Sequence, residues 1–208
     1  MRPAPCVQTH PQPVSYSHPR LLHPMSHDPQ RPQNIILVGL MGCGKSTVGR
    51  ILAKRIRFQF VDTDELIESR SGREIREIFR TDGEAAFRQI EAVTIESIAH
   101  MSRCIIATGG GAVLNPANRA ALKRTGLVVW LTASLDTLFE RVSRNSRRPL
   151  LHTPDPKQTL ADLMAQRETL YRETADAVFD TSTLELDEVA AAIESRVREA
   201  FGWNRPRP

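Results

Sequence analysis

The chain has 208 residues, 40% of them apolar, with 28 basic against 24 acidic side chains and a net charge of +4. That length and apolar content suit one domain with its own core and leave room for tails. No apolar run reaches the roughly 18 residues of a membrane-crossing helix, and no basic stripe with interleaved aromatics marks a nucleic-acid surface. Cys6, Cys43 and Cys104 have neither disulfide nor metal spacing, which points to a reducing compartment.

Residues 1–33 hold eight of the fourteen prolines and four of the six histidines, with no glycine and little apolar content. Such a stretch cannot build a core, so it is expected to be a disordered or extended tail. Its histidines lack regular metal-binding spacing, and it has no apolar segment of the kind that leads a secreted chain. The folded domain is expected over residues 34–202, followed by a frayed basic end at 203–208.

The domain opens with Ile35-Ile36-Leu37-Val38, a β-branched run that predicts a buried strand. A loop with Gly39, Gly42 and Gly44 follows, then Lys45-Ser46-Thr47 and a helical pattern carrying Val48, Ile51 and Leu52 on one face. This is G-x-x-x-x-G-K-[ST] between a strand and a helix, the context the motif needs. Glycines let the loop curl so that backbone N–H groups point at an anion, and the helix N-terminus adds its positive end. The loop thus calls for a nucleoside triphosphate held by Gly42, Cys43, Gly44, Lys45, Ser46 and Thr47. In such loops the lysine reaches the β- and γ-phosphates and the serine hydroxyl ligates Mg²⁺. Cys43 reads as a small residue tolerated there, with a regulatory thiol as the sharper alternative.

Phe58–Val61 reads as a second strand, ending in Asp62-Thr63-Asp64. Strand alternation puts both aspartates on one side at the carboxyl end, where open α/β sheets bind ligands. They suit Mg²⁺ organisation and activation of a hydroxyl; the plainer reading makes Asp64 the cap of a helix from Glu65 to Ser71. A further helical stretch follows from Glu74. Thr81 with Glu84 three residues on reads as a helix start, and the helix is expected to run to about Ser102. Its inward side should be Phe87, Ile90, Val93, Thr94, Ile98 and Met101. Arg88, between Glu84 and Glu91, reads by spacing alone as part of a surface ion-pair ladder.

Cys104–Thr108 is a buried-type strand that runs into Gly109-Gly110-Gly111, which is either a close backbone approach to a ligand or a flexible turn. Pro116 opens a helix that Gly126 ends, Leu127–Leu131 is a strand, and Ser134 caps the next helix. Arg141, Arg144, Arg147 and Arg148 lead into a proline-broken loop at about 145–158, either a solvated basic loop or a mobile lid bringing guanidinium groups to phosphates. Thr159–Arg172 is a helix bearing Arg167, Ala177–Asp180 a fifth strand, and Asp187–Phe201 a closing helix with Val189, Ile193 and Val197 inward. The fold class this order predicts is α/β, a five-stranded parallel sheet with helices on both faces.

At this point the chain resembles the shikimate kinase family. The resemblance runs from about Asn34 to Phe201 and rests on GLMGCGKST, then DTD, TDGE-x-x-FR-x-x-E, GGG, RRPLL and MAQRETLYR in order. It implies a P-loop, nucleoside-monophosphate-kinase-like three-layer fold with a mobile lid. It also implies Mg²⁺-dependent transfer of the ATP γ-phosphate to the 3-hydroxyl of shikimate on the route to chorismate. By resemblance, Arg88 and Arg167 hold the shikimate carboxylate, with Glu91 orienting Arg88. Gly109, Gly110 and Gly111 approach the substrate, and the acceptor region spans about 62–91. Asp64 binds ring hydroxyls and is the candidate base, and Asp62 holds Mg²⁺ through water. Arg148 moves onto the ATP phosphates, and Arg141 stacks near adenine. Ser182-Thr183-Leu184 departs from the family, where an arginine or polar contact near adenine is often found. Lys45, Asp64 and Arg148 are the expected catalytic residues, in a cytoplasmic monomer without nucleic-acid or membrane partners. The rivals are a gluconate kinase of the same fold, a P-loop switch acting on a protein, and a regulator that has lost catalysis.

Overall fold

The computed structural model describes residues 20–22, 33–144 and 153–202. Five parallel strands form the sheet: β2 (Ile35–Val38), β3 (Gln59–Asp62), β4 (Cys104–Ala107), β5 (Leu127–Thr132) and β6 (Ala177–Asp180). A sixth, β1 (Arg20–Leu21), pairs antiparallel with β6, so the spatial order is β1-β6-β5-β2-β4-β3. Two residues of the segment expected as tail thus join the sheet edge. The rest of that segment, 1–19 and 23–32, lies outside the described residues, as do 145–152 with Arg148 and the end at 203–208.

Every residue of β2, β4 and β5 is buried, which explains their continuous apolar runs. Helices α1 (Lys45–Ile56) and α8 (Leu186–Ala200) pack on each other over one face. On the other, α5 (Pro116–Thr125) and α7 (Pro156–Thr174) cover β5, with α4 (Gly83–Ser97) against α5. The helix α6 (Leu135–Ser143) packs on α7. Between β3 and α4 lie α2 (Thr63–Ser71) and α3 (Ile75–Thr81). A second small core of Ile67, Ile78 and Phe87, flanked by Ile75, Phe79 and Ile90, braces these helices apart from the main one. Truncating Ile78 to Ala would cost about 2–5 kcal/mol, loosening the unit that carries residues 64–91.

Three local expectations are corrected. The cap of α2 is Asp62, whose carboxylate accepts from the Asp64 N–H at 3.0 Å, because the strand runs one residue further and the helix begins at Thr63. Thr81 closes α3, its hydroxyl donating to the Glu77 carbonyl at 2.9 Å, and Asp82 stands before α4 instead. The α4 helix stops at Ser97, short of Ser102, and Val93 is 69% exposed. The inward face is Phe87, Glu91, Thr94 and Ile95: a carboxylate, Glu91, takes a core position that apolar patterning would never assign. The Pro116, Gly126 and Ser134 boundaries stand as expected.

Candidate active site

The phosphate loop leaves β2 at the point where the sheet's connections switch direction, β4 on one side and β5 on the other, the crevice that binds ligands in such sheets. Gly42 and Gly44 take φ values of +83° and +91°, which a side chain would strain. Lys45 Nζ donates to the Gly39 carbonyl at 2.8 Å and the Leu40 carbonyl at 3.1 Å, with Cys43 Sγ 3.7 Å away. Thr47 lies on the exposed first turn of α1. Ser46 Oγ donates to Asp62 Oδ2 at 2.7 Å, so the loop and the end of β3 meet through two oxygen donors.

A second cluster forms around Gly109-Gly110-Gly111. A Cβ on Gly109 would sit 2.8 Å from Asp64 Oδ1 and 3.0 Å from Glu91 Oε1, and one on Gly111 would collide with the Arg88 guanidinium. The turn is therefore a close approach of backbone to functional side chains, and Gly109 N–H anchors it by donating to Thr63 Oγ1 at 3.1 Å. Arg88 donates through Nη1 to Glu91 at 2.8 Å and through Nη2 to Glu84 at 2.9 Å. The ladder that spacing suggested does exist, but it points into the site. Arg167, only 5% exposed, donates to the Gly110 carbonyl at 3.3 Å. The same carbonyl accepts from Tyr171 Oη at 2.5 Å.

Burial lifts the Glu91 carboxyl above its ordinary value, with Arg88 and then Arg167 pulling against it. Burial also works against the Arg88 charge, but Glu91 and Glu84 more than offset it and keep that guanidinium firmly protonated. Burial raises the Tyr171 hydroxyl, which stays a neutral donor. Glu91 Oε1 and Arg167 Nε are the two buried side-chain polar atoms without a hydrogen-bond partner among the described residues. Such atoms are rare in folded chains, and both side chains reach this turn.

The two clusters adjoin. A Cβ on Gly110 would lie 3.5 Å from both the Gly39 carbonyl and the Met41 amide. Asp64, Arg88 and Arg167, spread over more than a hundred residues of sequence, thus meet at one turn that adjoins the phosphate loop. Arg141 donates to the Thr181 carbonyl at 2.7 Å, to Thr181 Oγ1 at 2.9 Å and to the Gly42 carbonyl at 3.4 Å. Ser182, in the segment that departs from the expected pattern, accepts from the Ser134 N–H at 2.7 Å. Residue-by-residue reasoning passed over Tyr171 and Thr181. Tyr171 stands one helical turn after Arg167, on the same side of α7, and that spacing was the available signal.

The fold and its phosphate loop define the class, a P-loop kinase. The shikimate kinase family model matches residues 41–198, and the chain belongs to that family. A shikimate kinase of Bordetella pertussis is 49% identical over 150 residues, 72% of this chain and 71% of that protein. One from Symbiobacterium thermophilum is 46% identical over 168 residues, 80% of this chain and 97% of that protein. Among solved structures, the Acinetobacter baumannii shikimate kinase in complex with shikimate aligns with a TM-score of 0.78 and 37% identity, covering 85% of this chain and 97% of that one. A gluconokinase of Sinorhizobium meliloti, at 18% identity and a TM-score of 0.50, shares the fold alone.

Proposed function

We infer that this protein is a shikimate kinase, transferring the γ-phosphoryl group of ATP to the 3-hydroxyl of shikimate on the route to chorismate and aromatic amino acids. The observation that carries the reading is the meeting of Arg88, Arg167 and Asp64 at a glycine turn that adjoins the phosphate loop. A planar carboxylate suits two guanidinium groups, which bind it through paired N–H donors. That arrangement fixes the acceptor ring with its hydroxyls toward Asp64. Asp64 then orients the 3-hydroxyl and takes its proton as the oxygen bonds to the γ-phosphorus and the bond to the bridging oxygen of ADP breaks. Lys45 turns from the loop carbonyls to the β- and γ-phosphates, and Arg148 adds positive charge there.

Ser46 Oγ and Asp62 Oδ2, 2.7 Å apart, are hard oxygen donors beside the phosphate loop and fit Mg²⁺, which takes few protein ligands and completes its shell with phosphate and water. When bound, that ion neutralises charge on the transferring group. Among the described residues no helix is long and apolar enough to cross a membrane. A cytoplasmic monomer completes the proposal. A coupled assay of ADP release tests the reading: turnover should require shikimate, and neither gluconate nor water should replace it. Equal rates with gluconate would transfer the acceptor to another acid, and ATP consumption without any acceptor would make the protein an ATPase.

A further inference from the structure

A phosphate loop works only if its amides face the anion, and each amide's direction is set by the carbonyl of the same peptide plane, which points the opposite way. The carbonyls must therefore be held from behind. Lys45 also bonds those of Gly39 and Leu40, but it is the group that turns to the phosphates, so it is not their lasting support. Arg141 reaches that of Gly42 at 3.4 Å, and Thr181 Oγ1 donates to that of Cys43 at 3.1 Å. The Cys43 carbonyl shares its peptide with the Gly44 N–H, the amide at the start of α1 where an anion binds best.

Thr181 is fully buried and its backbone is fixed, its N–H donating to the Thr132 carbonyl at 2.8 Å. Its hydroxyl has one proton. Arg141 has only donors, so at 2.9 Å the hydroxyl oxygen accepts from it and the proton must go to Cys43. Both capacities of one buried oxygen are thus committed to the nucleotide side of the site. The Thr181 carbonyl takes Arg141 Nη2 as well, so this residue also fixes where that guanidinium lies.

We propose that Thr181 is a positioning residue for the nucleotide, setting the Gly44 amide and the Arg141 guanidinium without touching ATP. The proposal rests on the kinase reading, and the test separates the two. Initial rates are measured with ATP varied at saturating shikimate, and with shikimate varied at saturating ATP, for wild type, Thr181→Val and Thr181→Ser, alongside melting temperatures. The Val protein should show an ATP KM raised about tenfold, the loss expected for one buried hydrogen bond. Its shikimate KM should stay within twofold, and the Ser protein should recover most of the ATP affinity. An unchanged ATP KM in the Val protein overturns the proposal, as does an equal rise in Val and Ser, which would make the methyl group the operative part. If the Val protein does not fold, Thr181→Ala removes the same hydroxyl without added bulk and is read by the same split. Failure of the kinase reading itself would show as wild type inactive with shikimate.

Discussion

Arg167 offers the sharpest test of the acceptor seat. Its guanidinium is buried, it donates to the Gly110 carbonyl beside the Tyr171 hydroxyl, and its Nε has no partner among the described residues. A bound carboxylate would take the unused donors through charge-assisted bonds worth about 1.5–3 kcal/mol. Arg167→Ala should therefore raise the shikimate KM about 10- to 150-fold, since 1.4 kcal/mol is a factor of ten. The ATP KM should move less than about threefold, because Arg167 reaches the phosphate loop only through Gly110. Arg167→Lys keeps the charge but not the planar fork and should fall between the two. The assay is steady-state ADP release with each substrate varied in turn, checked by calorimetric titration of shikimate. A shikimate KM within twofold of wild type in the Ala protein would refute the assignment. Equal losses for both substrates would instead point to collapse of the turn.

Asp64→Asn should lower turnover by about 10²–10⁴ while ATP still binds; near-normal turnover would remove Asp64 as the base. Tyr171→Phe leaves the Gly110 carbonyl with Arg167 alone and should raise the shikimate KM about five- to tenfold with little change in kcat; an unaltered KM would count against a role for this hydroxyl. Burial, ahead of the opposing pull of Arg88 and Arg167, lifts the Glu91 carboxyl above its ordinary 4.5, so its proton is held more tightly in the folded chain than in the unfolded one. That contribution is complete below pH 4.5 and is lost as pH rises through the raised value, so urea titrations from about pH 4 to 8 should show wild type losing stability relative to Glu91→Gln; a pH-independent difference would contradict it.

What could be read from the chain is what is local. The phosphate loop, its strand and its helix lie between Ile35 and Ile56, so their physics is complete in one stretch of sequence. Boundaries with overlapping signals went astray. Thr81 carries the pattern of a helix start, yet the preceding helix claims it, and Asp62 and Asp64 compete for one cap. Long-range partners leave no periodic trace: Tyr171 meets Gly110 across 61 positions and Thr181 meets Cys43 across 138. Arg88 shows the limit most clearly. Its spacing to Glu84 and Glu91 describes a surface ladder equally well, and only the burial of Glu91 sets that ladder against the glycine turn. Linked motifs, taken together, had already pointed to the family.

The two arginines are unequal partners for an incoming acid. Arg88 already spends Nη1 on Glu91 and both Nε and Nη2 on Glu84, so its charge is largely met before any ligand arrives. Arg167 donates to the Gly110 carbonyl and lies beside the Tyr171 hydroxyl, its Nε has no partner among the described residues, and its charge acts on Glu91 through space. Glu91 therefore does two jobs: it pins Arg88 in place, and its buried charge keeps a second guanidinium tolerable at 5% exposure. A carboxylate bound between the arginines would complete a set of charges that the folded chain holds ready but unbalanced. Under the proposed shikimate-binding reading, Arg167 is the principal anchor and Arg88 the orienting one, with Asp64 across the turn to receive the hydroxyl that such an acid presents.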